Sequence, residues 1–290
     1  MKTALLQHSF QGSVEATIAH TTAMVREASR GGAKLVVLQE LHTNAYFCQN
    51  EDVVHFQLAD ECEKHQETFA SLAKECGVVL VTSLFEKAMK GVYFNTAFVF
   101  EADGSLAGKY RKMHIPDDPN FYEKFYFTPG DLGFNPISTS VGKLGVLICW
   151  DQWFFEPARI MALKGADILI YPTAIGFCDE ESEAQKQSAL HSWINIQKAH
   201  SIGNHLPVAT VNRVGHESDP SGSTEGISFW GNSFVTNARG EIVAQASGDK
   251  DEIIYSQIDY EQTTNVRTVW PFFRDRRVEH YQDLQKIISE

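Results

Sequence analysis

The sequence predicts an α/β protein in which mixed sheets are covered by helices. Near-continuous apolar runs such as "AKLVVLQE" alternate with helix-length amphipathic segments, the pattern of strands buried on both faces. Other strands are joined by short turns of hairpin type. No Pro/Ser-rich linker, low-complexity tract or internal repeat interrupts the chain, so residues 1–290 are expected to form a single domain.

Taken in order, "TALLQHS" reads as a first strand, and residues 13–30 as a helix stopped by Gly31-Gly32. "AKLVVLQE" is a buried strand, residues 60–76 a helix ended by Gly77, and "VVLVTSLFE" a further strand. "YFNTAFVFE-ADG-SLAGKYRK" reads as a hairpin around Asp103-Gly104. A Pro/Asp loop, "HIPDDPN", leads to "LGVLIC", a tight turn and a helical pattern with Glu156-Pro157 in its first turn. "ADILIYPTA" is again a strand, and a long helix covers roughly 182–203. The remainder is strand-rich: "LPVATVNRV", "ISFWGNSFVTN-ARG-EIVAQAS" and "DEIIYSQID".

Composition narrows the function classes. A net charge of −12, with no Lys/Arg cluster, gives no phosphate footprint and argues against a nucleic-acid partner. A neutral or cationic small molecule suits that balance better. No apolar stretch approaches the ~20 residues of a membrane span, and "MKTALLQHSFQG" is too polar for a signal peptide. The 5 cysteines are odd in number and scattered, which fits free thiols in a reducing cytoplasm. None of the 11 histidines stands in a metal-ligand spacing, so neither metal nor cofactor is expected.

Reactive groups of open α/β folds collect at the carboxyl ends of strands. Three candidates stand there: Glu40 closes "AKLVVLQE", Lys112 follows the hairpin, and Cys149 closes "LGVLIC". Singly, each has a bland reading as packing, solvated loop or surface. Together their chemistry fits. A thiolate attacks a carbonyl-type carbon, and a helix starting just after Cys149 would turn its positive end toward the sulfur. A poorly hydrated carboxylate can cycle a proton, while a lysine beside the attacked carbon can hold the oxyanion, with a backbone N–H after the cysteine. The residues alone leave both readings open.

Three blocks, "LVVLQELHTNAYFCQNED", "YRKMHIPDDPNFYEKFYFTPG" and "GVLICWDQWFFEPARIMALKGADILIYPTAIG", occur in order and together resemble the nitrilase superfamily of carbon–nitrogen hydrolases. The resemblance implies an αββα four-layer sandwich with mixed sheets. It also implies a catalytic Glu-Lys-Cys triad that falls on Glu40, Lys112 and Cys149, with Glu123 orienting the lysine. "CWDQWFFEPAR", "HSWINIQKAHSIGNHLPVATVNRVG", "FWGNSFV" and "FRDRRVEHY" are most similar to the branch that hydrolyses N-carbamoylputrescine to putrescine, carbon dioxide and ammonia. That likeness implies a small cationic carbamoyl-amine substrate and a homo-oligomer built from dimers. The segment "FCDEESEAQKQ" departs from the plant-type enzymes, which carry an acidic residue close to the same place.

Asp179, with Glu180 as fallback, is therefore the candidate for the substrate's ammonium; the bland reading of "DEESE" is a solvated helix start. Trp150 is a candidate for the oxyanion through its backbone N–H, and His114 for a hydrogen bond within the site. The run "FYEKFYF" either walls the pocket or belongs to the core, and Cys48, Cys62, Cys76 and Cys178 are read as structural. Two alternatives stand beside this reading. One is hydrolysis of another linear amide, such as an N-carbamoyl-β-amino acid or ω-amide; the other is a non-catalytic binding or assembly protein on the same fold.

Overall fold

The computed structural model describes residues 1–178, 181–219 and 221–289. The first half runs β1 (Lys2–Gln7), α1 (Val14–Arg30), β2 (Leu35–Leu38), α2 (Cys62–Cys76), β3 (Val79–Met89), β4 (Val92–Phe100), β5 (Leu106–Arg111) and the one-turn α3 (Glu123–Tyr126). The second half runs β6 (Ile137–Thr139), β7 (Gly142–Val146), α4 (Phe155–Leu163), β8 (Ile168–Pro172), β9 (Gly176–Cys178) and α5 (Glu183–Asn204). It ends with β10 (Val208–Val211), β11 (Val214–Glu217), β12 (Ile227–Trp230), β13 (Phe234–Thr236), β14 (Ile242–Gln245), β15 (Glu252–Gln257) and α6 (Tyr260–Val269).

Local chemistry sets the helix ends. Ser13 caps α1 by accepting the Ala16 N–H, and Ser182 with Gln185 forms a capping box at the start of α5. Gly77 stops α2 in the left-handed conformation (φ 61°), where its N–H closes on the last carbonyls of the helix.

Two six-stranded sheets form, in the orders β15-β1-β2-β3-β4-β5 and β14-β13-β10-β8-β7-β6. Side-chain alternation decides what each face meets. Leu5, Val37 and Val81 share one core with Val146, Ile168 and Ala209 of the second sheet, so the sheets pack face to face. Leu6, Val36 and Leu80 point the other way, onto Met24, Val25, Phe69 and Leu72 of α1 and α2. The second sheet is covered by Ala158, Met161 and Ala162 of α4 and by Trp193 of α5. This is the αββα sandwich of mixed sheets. Burial of one such Leu or Phe contributes about 1.5–3 kcal/mol.

Two apolar runs divide where the sequence reads one strand. "LPVATVNRV" becomes β10 and β11, and "ISFWGNSFVTN" becomes β12 and β13, broken at Gly231 and Asn232, which both have positive φ (53° and 55°). The detached pieces build a third sheet, β11-β12-β9. Among the described residues no helix is long and apolar enough to cross a membrane.

The edge β3-β4-β5 is clamped by one carboxylate. Glu86 accepts from Thr96 Oγ1 (2.6 Å), Lys109 Nζ (2.6 Å) and Arg111 Nη2 (2.7 Å), and Arg111 lies 3.9 Å over the Phe94 ring. Burial alone would raise the Glu86 carboxyl, but the hydrogen bonds from Arg111, Lys109 and Thr96 outweigh it and hold it at about 2. A carboxylate depressed in the folded state contributes stability above its ordinary value of 4.5, and that contribution fades as pH falls toward about 2. Glu86→Gln should therefore lower Tm at neutral pH and flatten the fall of Tm across that acid window. Parallel thermal melts between about pH 7 and about pH 3 check this; an unchanged slope contradicts it.

Candidate active site

The candidate side chains stand just beyond strand ends or at the start of a short helical turn. Glu40 stands two residues beyond β2, and Leu41 turns the chain at φ 47° while its N–H binds Ser83 Oγ at 3.2 Å. Lys112 follows β5 directly; its N–H binds the Asn95 carbonyl at 2.9 Å, and its own carbonyl accepts the Gly130 N–H at 2.8 Å. Only glycine fits at 130, since a Cβ would stand 2.1 Å from the Arg111 carbonyl oxygen. Glu123 opens α3, and Cys149 opens a tight 3-10 turn over Cys149–Trp153 with φ 39°.

These residues converge. Glu40, Lys112 and Glu123 are each 0% exposed, and Cys149 is 4% exposed. The Lys112 ammonium donates to Glu40 Oε1 at 2.7 Å and to Glu123 Oε2 at 2.6 Å. Tyr46 donates its hydroxyl to Glu123 Oε1 at 2.8 Å, and Asn95 Nδ2 donates to Glu40 Oε1 at 2.7 Å. Cys149 Sγ lies 3.8 Å from the Ala174 carbonyl oxygen, just beyond β8.

Burial sets the charges. It raises the Glu40 carboxyl to about 7 against the opposing pull of Lys112. Burial also works against the Lys112 charge, but Glu123 and Glu40 beside it prevail and keep the ammonium protonated. The Cys149 thiol is pushed well above its ordinary value by burial and by the Glu40 charge, with Lys112 pulling the other way. The thiol is thus protonated at rest. This corrects the expectation of a helix N-terminus acting on the sulfur: the 3-10 turn intervenes, and α4 begins only at Phe155. The Cys149 thiol hydrogen-bonds the Glu40 carboxyl, so the arrangement can pass a proton from thiol to Glu40 within the cluster.

The other candidates have different places. His114 stacks 3.9 Å from the Phe154 ring, and its Nδ1 and backbone N–H both reach Asp151 Oδ1, at 2.7 and 3.1 Å. It belongs to the frame of the turn. Trp150 packs edge-on to Trp153 and lines an open groove of about 560 Å³ with His114, Lys124, Phe127 and Phe154. Tyr126 and Phe127 of "FYEKFYF" are core, packed with Phe47 and Phe85. Asp179 and Glu180 lie outside the described residues. Among the described residues no group of three or more His, Cys, Asp or Glu could hold a metal ion.

Several supporting residues escape the sequence reading. Asp151 closes the Cys149 turn by accepting the Ile148 N–H at 3.0 Å and takes the Tyr110 hydroxyl at 2.8 Å. An acidic residue three after the residue that enters the turn, here Ile148, is a turn-closing signal, so Asp151 was findable. The buried Arg213 was not. It donates to the Leu41 and Asn44 carbonyls at 2.9 and 3.0 Å and to Glu217, whose Oε2 accepts the Tyr46 N–H at 2.6 Å. Arg213 and Glu217 thereby pin the loop that delivers Tyr46 to Glu123.

Residues 2–268 match the family described as carbon-nitrogen hydrolase. The N-carbamoylputrescine amidase of Arabidopsis thaliana is 39% identical over 96% of this chain and 93% of its own length. The citrullinase of Francisella tularensis is 37% identical over 98% of both chains. Among solved structures, a carbon-nitrogen hydrolase from Helicobacter pylori G27 superposes with a TM-score of 0.98 at 54% identity, covering 100% of this chain and 99% of that one. With the fold, the matched length and the relatives in agreement, this chain belongs to the carbon–nitrogen hydrolase family.

Proposed function

We propose that this carbon–nitrogen hydrolase is a thiol amidohydrolase acting on N-carbamoylputrescine, with Cys149 as nucleophile, Glu40 as proton carrier and Lys112 as oxyanion partner. The observation that carries the reading is the buried Glu40–Lys112–Glu123 cluster set against a cysteine held at a left-handed turn. The plant relatives named N-carbamoylputrescine amidase, about 40% identical over most of the chain, support the substrate.

The thiol proton passes to Glu40, and the thiolate attacks the ureido carbon. Negative charge on the former carbonyl oxygen is met by Lys112 and a backbone N–H of the turn. Collapse expels one nitrogen, which leaves with the proton Glu40 holds. Water then attacks the thiocarbamate carbonyl and yields a proton to Glu40; sulfur leaves and recovers it. The carbamate released decomposes, giving putrescine, ammonia and carbon dioxide for one water consumed. Glu123, held by Tyr46, orients Lys112.

Selectivity rests on the far end of the substrate. Position 179 follows β9 and comes five residues after Ala174, whose carbonyl touches the sulfur. Asp179, with Glu180 as fallback, therefore takes the ammonium. A second reading has its own support. Citrulline presents the same ureido group and adds a carboxylate, the Francisella relative is named citrullinase, and the Lys186 ammonium stands 5.9 Å from the Phe177 ring of β9, where it would meet that carboxylate. Ammonia release from N-carbamoylputrescine and from citrulline, side by side, separates the two readings.

Cys149→Ala should lose roughly 10⁴–10⁶ in kcat while remaining folded; a folded variant keeping a tenth of turnover ends the mechanism. Glu40→Gln should collapse kcat with little change in KM, and Lys112→Met should do the same while lowering Tm, because it leaves two carboxylates buried without their cation. Since Glu40 must be unprotonated to take the thiol proton, kcat/KM should fall as pH drops through about 7. Asp179→Asn should cost about 30- to 150-fold in kcat/KM for N-carbamoylputrescine. It should cost almost nothing for N-carbamoylbutylamine, which lacks the ammonium, and equal effects on both substrates would remove Asp179 from the site.

A further inference from the structure

The two oxygens of Glu40 are not equivalent. Oε1 accepts from both Lys112 Nζ and Asn95 Nδ2, each at 2.7 Å, whereas no nitrogen or oxygen donor among the described residues reaches Oε2. Asn95 sits mid-strand in β4 and is fully buried. Its amide has one workable orientation. Ser83 Oγ accepts the Leu41 N–H at 3.2 Å and so turns its own proton onto Asn95 Oδ1, at 3.1 Å. With the carbonyl end occupied by a donor, the NH₂ end is aimed at the carboxylate. A closed ring results, running from Leu41, the residue after Glu40, through Ser83 and Asn95 back to Glu40.

We propose that Asn95 is a positioning residue for the proton carrier: locked by Ser83, it fills Oε1 together with Lys112 and confines proton traffic to Oε2. A carboxylic proton on Oε1 would face two N–H donors, so the acid form places it on Oε2 instead. The same hydrogen bond favours the charged form of Glu40 and opposes the upward push of burial. The charged or titratable groups that face this carboxylate are Lys112, Glu123 and Cys149, with Tyr46 and Cys48 also within reach of its charge, whereas Asn95 is a neutral contact. The inference rests on Glu40 being the proton carrier and does not depend on which ureido compound is the substrate.

The test compares wild type, Asn95→Leu, Ser83→Ala and Glu40→Gln in the full-length protein. Two pH profiles are recorded: ammonia release from N-carbamoylputrescine, and alkylation of Cys149 by iodoacetamide, which needs no substrate. Asn95→Leu should lower kcat about tenfold or more with KM little changed. It should also move the acid limb of both profiles upward by about half a pH unit or more, because the carboxylate has lost a donor. Ser83→Ala keeps the donor but loosens it, so its limb should move the same way by less; this variant decides the matter if Asn95→Leu does not fold. A fall in kcat with unmoved limbs in the folded variants makes Asn95 merely structural and overturns the proposal. Turnover by Glu40→Gln overturns it together with the proposed mechanism, whereas an inactive Glu40→Gln beside unmoved limbs overturns the Asn95 assignment alone.

Discussion

The site depends on one buried cation shared by two carboxylates. The Lys112 ammonium, fully shielded from solvent, is tolerable only because Glu40 and Glu123 both lie within 2.7 Å of it. Desolvating three ionised groups costs several kcal/mol each, and only close pairing with further hydrogen bonds offsets it. Tyr46 supplies such a bond to the other oxygen of Glu123, and Asn95 one to the Glu40 oxygen that Lys112 also holds. Local backbone features follow from keeping this cluster dry and aligned: the turns at Leu41 and Cys149, the glycine required at 130, and the buried Arg213 behind the 41–46 loop.

Electrostatics and geometry then divide the work. The thiol is not activated by its own surroundings, since burial and the Glu40 charge both disfavour the thiolate. Attack requires a proton acceptor at hand, and the carboxyl raised to about 7 is matched to that need near neutral pH. The sandwich contributes by separation. Glu40 and Lys112 follow strands of one sheet, Cys149 follows a strand of the other, and the reacting groups meet where the two sheets face each other.

Much of this was legible in the sequence because its signals are local. Apolar runs and stop glycines marked most elements, and three chemically matched residues after three strands marked the cluster. The misses are non-local. "LPVATVNRV" reads as one strand-forming run, and it is the break at Asn212 and Arg213 that divides it between two sheets. Asn95, Ser83 and Tyr46 are ordinary residues in strand or loop contexts, and their value comes from partners 12 to 77 residues away. The helix-dipole expectation for Cys149 failed because a 3-10 turn, closed by Asp151, separates the sulfur from α4.

The shared ammonium also constrains how such a chain can change over generations. A lineage that abandoned the chemistry could not shed Lys112 alone, since two carboxylates would stay buried without their cation, nor lose both carboxylates and strand the ammonium, at a cost of about 3–5 kcal/mol. That is a large part of the 5–15 kcal/mol that holds an ordinary domain folded. Cys149 is the exception: it is neutral at rest and forms no ion pair, so it can be replaced without exposing a buried charge. Descendants that keep the fold for another purpose should therefore lose the sulfur first and carry the buried lysine with a carboxylate partner long afterwards, as a fossil of the reaction.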